Sequence, residues 1–133
     1  MLEWQLALSN VASHADAPLI LLVDDYEDSR FLYVHSLTAA GYRVEEAADG
    51  QEGLDKAFSL LPDVVVMDLS LPVLDGWEAI RRLKSDDRTR ATPIIALTGH
   101  SVREEDNPGY TALLVKPCMP DALTTKIREL VGR

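Results

Sequence analysis

Only one cysteine, Cys118, occurs in the 133 residues. No intramolecular disulfide can therefore staple the fold, and a reducing, cytoplasmic setting is expected. Long apolar runs are missing as well: none approaches the ~20 residues that a membrane-spanning helix needs. No signal-peptide pattern opens the chain, and no internal repeat or low-complexity stretch suggests a repeat array. Positive charge is in short supply. Thirteen Lys and Arg against 22 Asp and Glu give a net charge of −9, which argues against direct nucleic-acid binding, since that wants a basic surface. The same balance suits an acidic metal site or a basic partner equally well.

What is present is an ordinary globular composition, 47% apolar and 26% charged. A chain of this length supports one domain and buries about two-thirds of its unfolded surface, enough for a core without metal or disulfides. Short runs rich in Val, Ile and Leu at 19–23, 64–67, 94–97 and 112–115 read as fully buried strands. A half-polar run at 43–47 reads as an edge strand. Between the runs, Leu54, Ala57, Phe58 and Leu61 recur on one helical face; Trp77, Ile80 and Leu83 mark a second helix, and Leu123, Ile127, Leu130 and Val131 a third. Asp28 is placed to cap a further helix holding Phe31, Leu32 and Leu37 and ended by Gly41. Pro62 closes one helix, and Pro120 opens the last at a first-turn position. Alternating strands and helices predict an α/β fold: a three-layer, doubly wound parallel sheet with helices on both faces. Residues 1–17 lie outside this alternation. Trp4, Leu8 and Val11 have helical spacing there, so the segment is expected to be an N-terminal extension or linker, with a partner-binding role as the alternative. Residues 18–133 form the expected domain, and the chain stops just after its last helix, so no appended output domain is expected.

In an open parallel sheet, ligands bind beyond the carboxyl ends of the strands. The residues at those ends are Asp24 and Asp25, then Asp68, then Thr98, then Lys116. Carboxylates crowded together repel one another and destabilise the fold, a penalty that a hard divalent cation removes. Mg²⁺ uses one or two carboxylates, a carbonyl and several waters. Lys116 and Thr98 would supply a positive charge and a hydrogen-bond donor to phosphate oxygens. That set suits phosphoryl transfer, with Asp68 as the nucleophile that forms an acyl phosphate.

Four stretches now carry a family likeness: LLVDDYEDSR, VVVMDLSLPVLDGWEAI, PIIALTGHS and LLVKPCMP. Together, in this order, they resemble the signature segments of bacterial response-regulator receiver domains of the chemotaxis-regulator kind, over residues 18–133. The resemblance implies a five-stranded sheet in the flavodoxin-like order 2-1-3-4-5. It implies that Asp68 is the phosphoacceptor, that Asp24, Asp25, Asp68 and the Ser70 backbone carbonyl hold Mg²⁺, and that Thr98 and Lys116 contact the phosphoryl group. Asp25 would be a direct ligand and Asp24 one acting through water. The Lys116-Pro117 bond would be cis. Asp75 and Gly76 match the turn into the third helix, where Gly offers positive-φ freedom. The phosphoryl group would come from a sensor histidine kinase or a histidine phosphotransfer protein, and an unidentified protein downstream would read a phosphorylation-dependent surface. No membrane or nucleic-acid partner is implied.

Two departures from that pattern stand out. The aromatic residue usual three before the lysine is Leu113 here, and Tyr110 is not its equivalent. The 98–116 segment is also about one helical turn short and contains Asn107, Pro108 and Gly109, which confines any fourth helix to about 101–106. A receiver-like interaction module that signals without phosphorylation is therefore the first alternative. A Mg²⁺-dependent phosphatase with an Asp nucleophile is the second; such enzymes carry another Asp where this chain has Ser70. Simpler roles stand beside the functional ones: Thr98 as a helix cap, His35 as a structural residue of the first helix, His100 as exposed loop or a modulator of phosphate lifetime. Cys118 reads as a small strand-end hydrophobe and Trp77 as core or near-core. His14 shows no metal-ligand spacing.

Overall fold

The computed structural model describes residues 16–132. Expectations for residues 1–15 lie outside the described residues. Five parallel strands form one sheet: β1 (Leu19–Val23), β2 (Arg43–Ala47), β3 (Val64–Asp68), β4 (Ile94–Thr98) and β5 (Ala112–Val115). Their order is β2-β1-β3-β4-β5, as the resemblance implied. The connecting helices among the described residues are α1 (Glu27–Ala39), α2 (Gly50–Leu60), α3 (Gly76–Ser85) and α4 (Pro120–Val131). None is long and apolar enough to cross a membrane.

Strand alternation divides the core in two, because successive side chains point to opposite faces. Leu21, Val23, Val65, Met67, Ile94 and Ala96 face α2 and α3, where they meet Leu54, Ala57, Ile80 and Leu83. Ile20, Leu22, Val64, Val66, Ile95 and Leu97 face α1 and α4, meeting Tyr33, Leu37, Leu123 and Ile127. Burial on both faces is why β1, β3 and β4 read as continuous apolar runs, while the edge strand β2 keeps Arg43, Glu45 and Glu46 exposed. The run at 112–115, expected to be fully buried, is the other edge strand: β5 is half-buried and Val115 is exposed.

Several local details differ from expectation. The N-cap of α1 is Tyr26, with no side-chain cap; Asp28 lies inside the first turn, where its charge complements the helix dipole. Of the residues expected on that helix's buried face, Leu37 is buried, but Phe31 and Leu32 are exposed. Tyr33 takes the inward position instead. His35 is exposed and stacks on Phe31 rather than entering the core. Gly76 has no positive φ. It is required for space: a Cβ there would lie 2.1 Å from the Asp68 carbonyl oxygen. The positive φ in this loop falls on Val73.

Between β4 and β5 a single 3-10 turn, Glu104–Asp106, replaces the helix considered for 101–106. Asn107 terminates it: its Oδ1 accepts from the Gly109 and Tyr110 amides at 2.7 and 2.8 Å, and its Nδ2 donates to the Tyr110 carbonyl. This side-chain closure competes with helical bonding. Val102, Tyr110 and Leu113 pack over the adjoining core instead.

Candidate functional site

Each predicted site residue sits at the carboxyl end of its strand or just beyond. The register explains their convergence. Val23 pairs with Met67, Asp68 with Leu97, and Thr98 with Val115, so the ends of β1, β3, β4 and β5 form one rim.

Asp24 is fully buried and held by its surroundings. Its Oδ1 accepts from the Tyr26 amide at 3.0 Å, and its Oδ2 accepts from the Ser29 hydroxyl at 2.7 Å. Arg30 donates to its backbone carbonyl at 2.7 Å and pairs with Glu46. These bonds organise the turn into α1, which is why that helix begins without its own cap. Asp25, by contrast, is exposed. Asp68 is buried; its Oδ1 accepts from the Ser70 amide at 2.9 Å, and its Oδ2 accepts from Lys116 Nζ at 2.5 Å. Lys116 Nζ also lies 3.7 Å from Asp24 Oδ2.

Oxygens of Asp24, Asp25 and Asp68 all lie within 4.8 Å of one another. Three carboxylates against one contacting ammonium leave negative charge uncompensated, and every donor is a hard oxygen. The set fits a divalent cation of the Mg²⁺ type. Burial pulls the Lys116 ammonium toward neutrality, but the Asp68 hydrogen bond and the Asp68 and Asp24 charges outweigh it and raise its pKa.

Thr98 is buried, and its hydroxyl accepts from the His100 amide at 3.1 Å. It caps no helix: the 3-10 turn that follows begins at Glu104, with Arg103 at its N-cap. His100 is exposed, and Ser70 sits on the exposed rim. The Lys116-Pro117 bond is cis. Cys118 is half-buried against the α1–α4 side of the core, and Trp77 against the other side.

Ser29, Arg30 and Tyr33 were missed in reading the sequence. Ser29 had a signal, a hydroxyl one turn beyond an acidic pair. Tyr33 had none; its hydroxyl donates to the Cys118 carbonyl at 2.9 Å, across 85 residues.

Beside Asp68, between α1 and the loop entering α4, runs a groove of about 430 Å³. Tyr26, Leu32, Pro117, Cys118 and Pro120 line it, with Lys116 at the site end. Of these, Tyr26 and Leu32 are more than half exposed, and Ser29 and Tyr33 complete the lining.

Comparison with known proteins matches residues 20–128 to the family described as response regulator receiver domain. Among characterised relatives, the chain is 33% identical over 120 residues to the DNA-binding dual master transcriptional regulator RpaA of Synechocystis, covering 87% of this chain and 50% of that protein. It is 35% identical over 115 residues to the response regulator PleD of Caulobacter vibrioides, covering 84% of this chain and 25% of that one. The chain thus spans half or less of these relatives' length. Among solved structures, the chemotaxis response regulator CheY4 of Vibrio cholerae superposes with a TM-score of 0.81 at 34% identity, covering 86% of this chain and 98% of that one. The receiver domain of the sensor histidine kinase PA1611 of Pseudomonas aeruginosa, solved with a magnesium ion in its active-site cleft, gives 0.81 at 32% identity, with 88% and 99% covered.

Proposed function

We propose that this chain, which belongs to the family of response regulator receiver domains, takes a phosphoryl group onto Asp68 from a phosphohistidine of a kinase or phosphotransfer protein. One observation carries the reading: the buried Asp68 carboxylate touches Lys116 through one oxygen and shares a pocket with Asp24 and Asp25. An Asp68 oxygen would attack phosphorus in line. The new O–P bond forms as the N–P bond breaks, and that bond's electron pair leaves with the donor imidazole.

Asp25, Asp68 and the Ser70 carbonyl would hold Mg²⁺, with Asp24 acting through water. When bound, the ion supplies charge neutralisation for the phosphoryl oxygens. Lys116 would exchange its Asp68 contact for a phosphoryl oxygen, and the Thr98 hydroxyl would donate to another. The apolar groove beside Asp68 supports a protein donor over a small molecule alone, because an exposed patch of this kind marks an interaction surface. Donor and acceptor would meet in the cytoplasm. The new charge of about −1.5 to −2 would then bias the surface that a downstream protein reads. Hydrolysis of the acyl phosphate, assisted by the same residues, would reset it.

Incubation with acetyl phosphate and Mg²⁺, followed by intact mass, tests this. One phosphoryl group should be added and should be absent in Asp68→Asn. Equal labelling of that variant would remove Asp68 from the role.

A further inference from the structure

Lys116 reaches Asp68 on a flexible four-carbon stem that ends in a compact charge. Where the ammonium sits therefore depends on what holds the backbone beneath it. Before Lys116, the backbone is fixed: its amide donates to the Thr98 carbonyl at 2.6 Å. After it, Pro117 has no N–H to donate, and Met119, the N-cap of α4, makes no side-chain cap, its carbonyl accepting from the Ala122 and Leu123 amides at 3.0 and 3.4 Å. The Cys118 carbonyl between them accepts from the Tyr33 hydroxyl at 2.9 Å.

Tyr33 is well suited to be that anchor. It is 5% exposed, its ring packed in the core beneath the sheet rim with Leu37, Leu97 and Leu123. Burial raises the pKa of its phenol, as do the Cys118, Asp24 and Asp68 charges, with Lys116 opposing. It therefore remains a proton donor at neutral pH. Further negative charge on Asp68 would keep it so.

We infer that Tyr33 is a positioning residue for phosphoryl transfer: by holding the Cys118 carbonyl it fixes the loop between β5 and α4, and with it the point from which Lys116 addresses Asp68. The inference rests on the phosphoacceptor reading above. Tyr33 touches neither the reacting atoms nor the carboxylates; it lines the groove, but with a small phosphodonor, which needs no docked protein, its influence runs through Lys116. Metal binding by Asp24, Asp25 and Asp68 does not depend on it.

The test uses the full chain and four variants: Tyr33→Phe, Tyr33→Leu, Lys116→Ala and the Tyr33→Phe/Lys116→Ala double. Labelling by acetyl phosphate at saturating Mg²⁺ is followed by intact mass, alongside melting curves and Mg²⁺ titrations by thermal shift. Tyr33→Phe keeps the ring and loses only the hydrogen bond. It should leave Mg²⁺ affinity unchanged and lower the rate at saturating acetyl phosphate by roughly two- to tenfold, the range one buried hydrogen bond supports. In the Lys116→Ala background the same change should have no further effect, because residues acting through one another are not additive. Tyr33→Leu should melt well below Tyr33→Phe yet slow labelling to a similar extent. An unchanged rate in Tyr33→Phe, an equal fall in both backgrounds, or a rate that tracks melting temperature across the Tyr33 variants would each overturn the inference. Absence of labelling in the unaltered protein would instead sink the phosphoacceptor reading, and the inference with it.

Discussion

Val73 is a strained position that can be relieved without touching the core. It lies in the loop between β3 and α3, with φ at 69°. The Leu74 amide donates to the Pro72 carbonyl at 2.8 Å, closing a three-residue turn around it. With positive φ at its centre this is the rare, strained form of the γ-turn, and a β-branched side chain is an outlier there. Such strain costs about 1–3 kcal/mol. The loop cannot easily relax, because the Leu74 carbonyl rests against Gly50, where a Cβ would lie 1.7 Å from its oxygen. The side chain is 81% exposed, so its removal sacrifices little burial. Val73→Gly should recover the strain, less about 0.4–1 kcal/mol for the greater freedom of glycine in the unfolded chain. The difference spans about 0–2.6 kcal/mol with its centre near 1.3, and that central gain raises Tm by roughly 4–5 °C for a domain of this size. Val73→Ile, equally branched, should gain nothing. Differential scanning calorimetry of the three proteins at neutral pH decides the matter. A Val73→Gly protein melting at or below the unaltered chain would refute the argument.

Three other outcomes follow from the site and its surroundings. Mg²⁺ at a hundred times its Kd should add ~2.7 kcal/mol to stability; in thermal-shift titrations Asp25→Asn should lose most of that gain while melting higher without metal, and a full Mg²⁺ response in that variant would rule out Asp25 as a ligand. Beryllofluoride, standing in for the phosphoryl group proposed for Asp68, should change amide exchange near Asp68, Thr98 and the 99–109 segment, and little over 121–131, because Leu113 stands where the family usually has an aromatic residue and a single 3-10 turn leaves few contacts to relay a change; a large change across Leu113 and α4 would show otherwise. The raised pKa of Lys116 means that the folded state holds this proton more tightly than the unfolded chain. Its contribution is therefore complete below the ordinary lysine value near 10.5 and lost as pH rises through the raised one. From neutral pH upward, the stability difference between the unaltered protein and Lys116→Met should hold steady and shrink only on that alkaline side, and a difference already falling between pH 6 and 8 in urea titrations would contradict the assignment.

The strands and the rim residues were legible in the sequence because both are local properties. A strand buried on two faces must be apolar throughout, so the runs beginning at Leu19, Val64 and Ile94 marked β1, β3 and β4 directly; the run at Ala112 marked a strand too, but an edge strand that is only half-buried. The polar residues that follow each run marked the carboxyl ends of the strands. Asp24, Asp25, Asp68, Thr98 and Lys116 needed nothing more than that. Other features depend on which distant residues meet, and only the tertiary structure decided them. Gly76 had suggested a backbone conformation, but its reason is the Asp68 carbonyl pressed against it, while the strained turn passed to Val73. Phe31 and Leu32 looked like core until the packing of α1 turned Tyr33 inward, leaving both exposed and Leu32 on the groove. Tyr33 reaches Cys118 across 85 residues, a contact set by how α1 and the β5–α4 loop lie over the same face of the sheet. Periodicity records which way a side chain points along its own element; it carries no information about what another element brings within 3 Å of it.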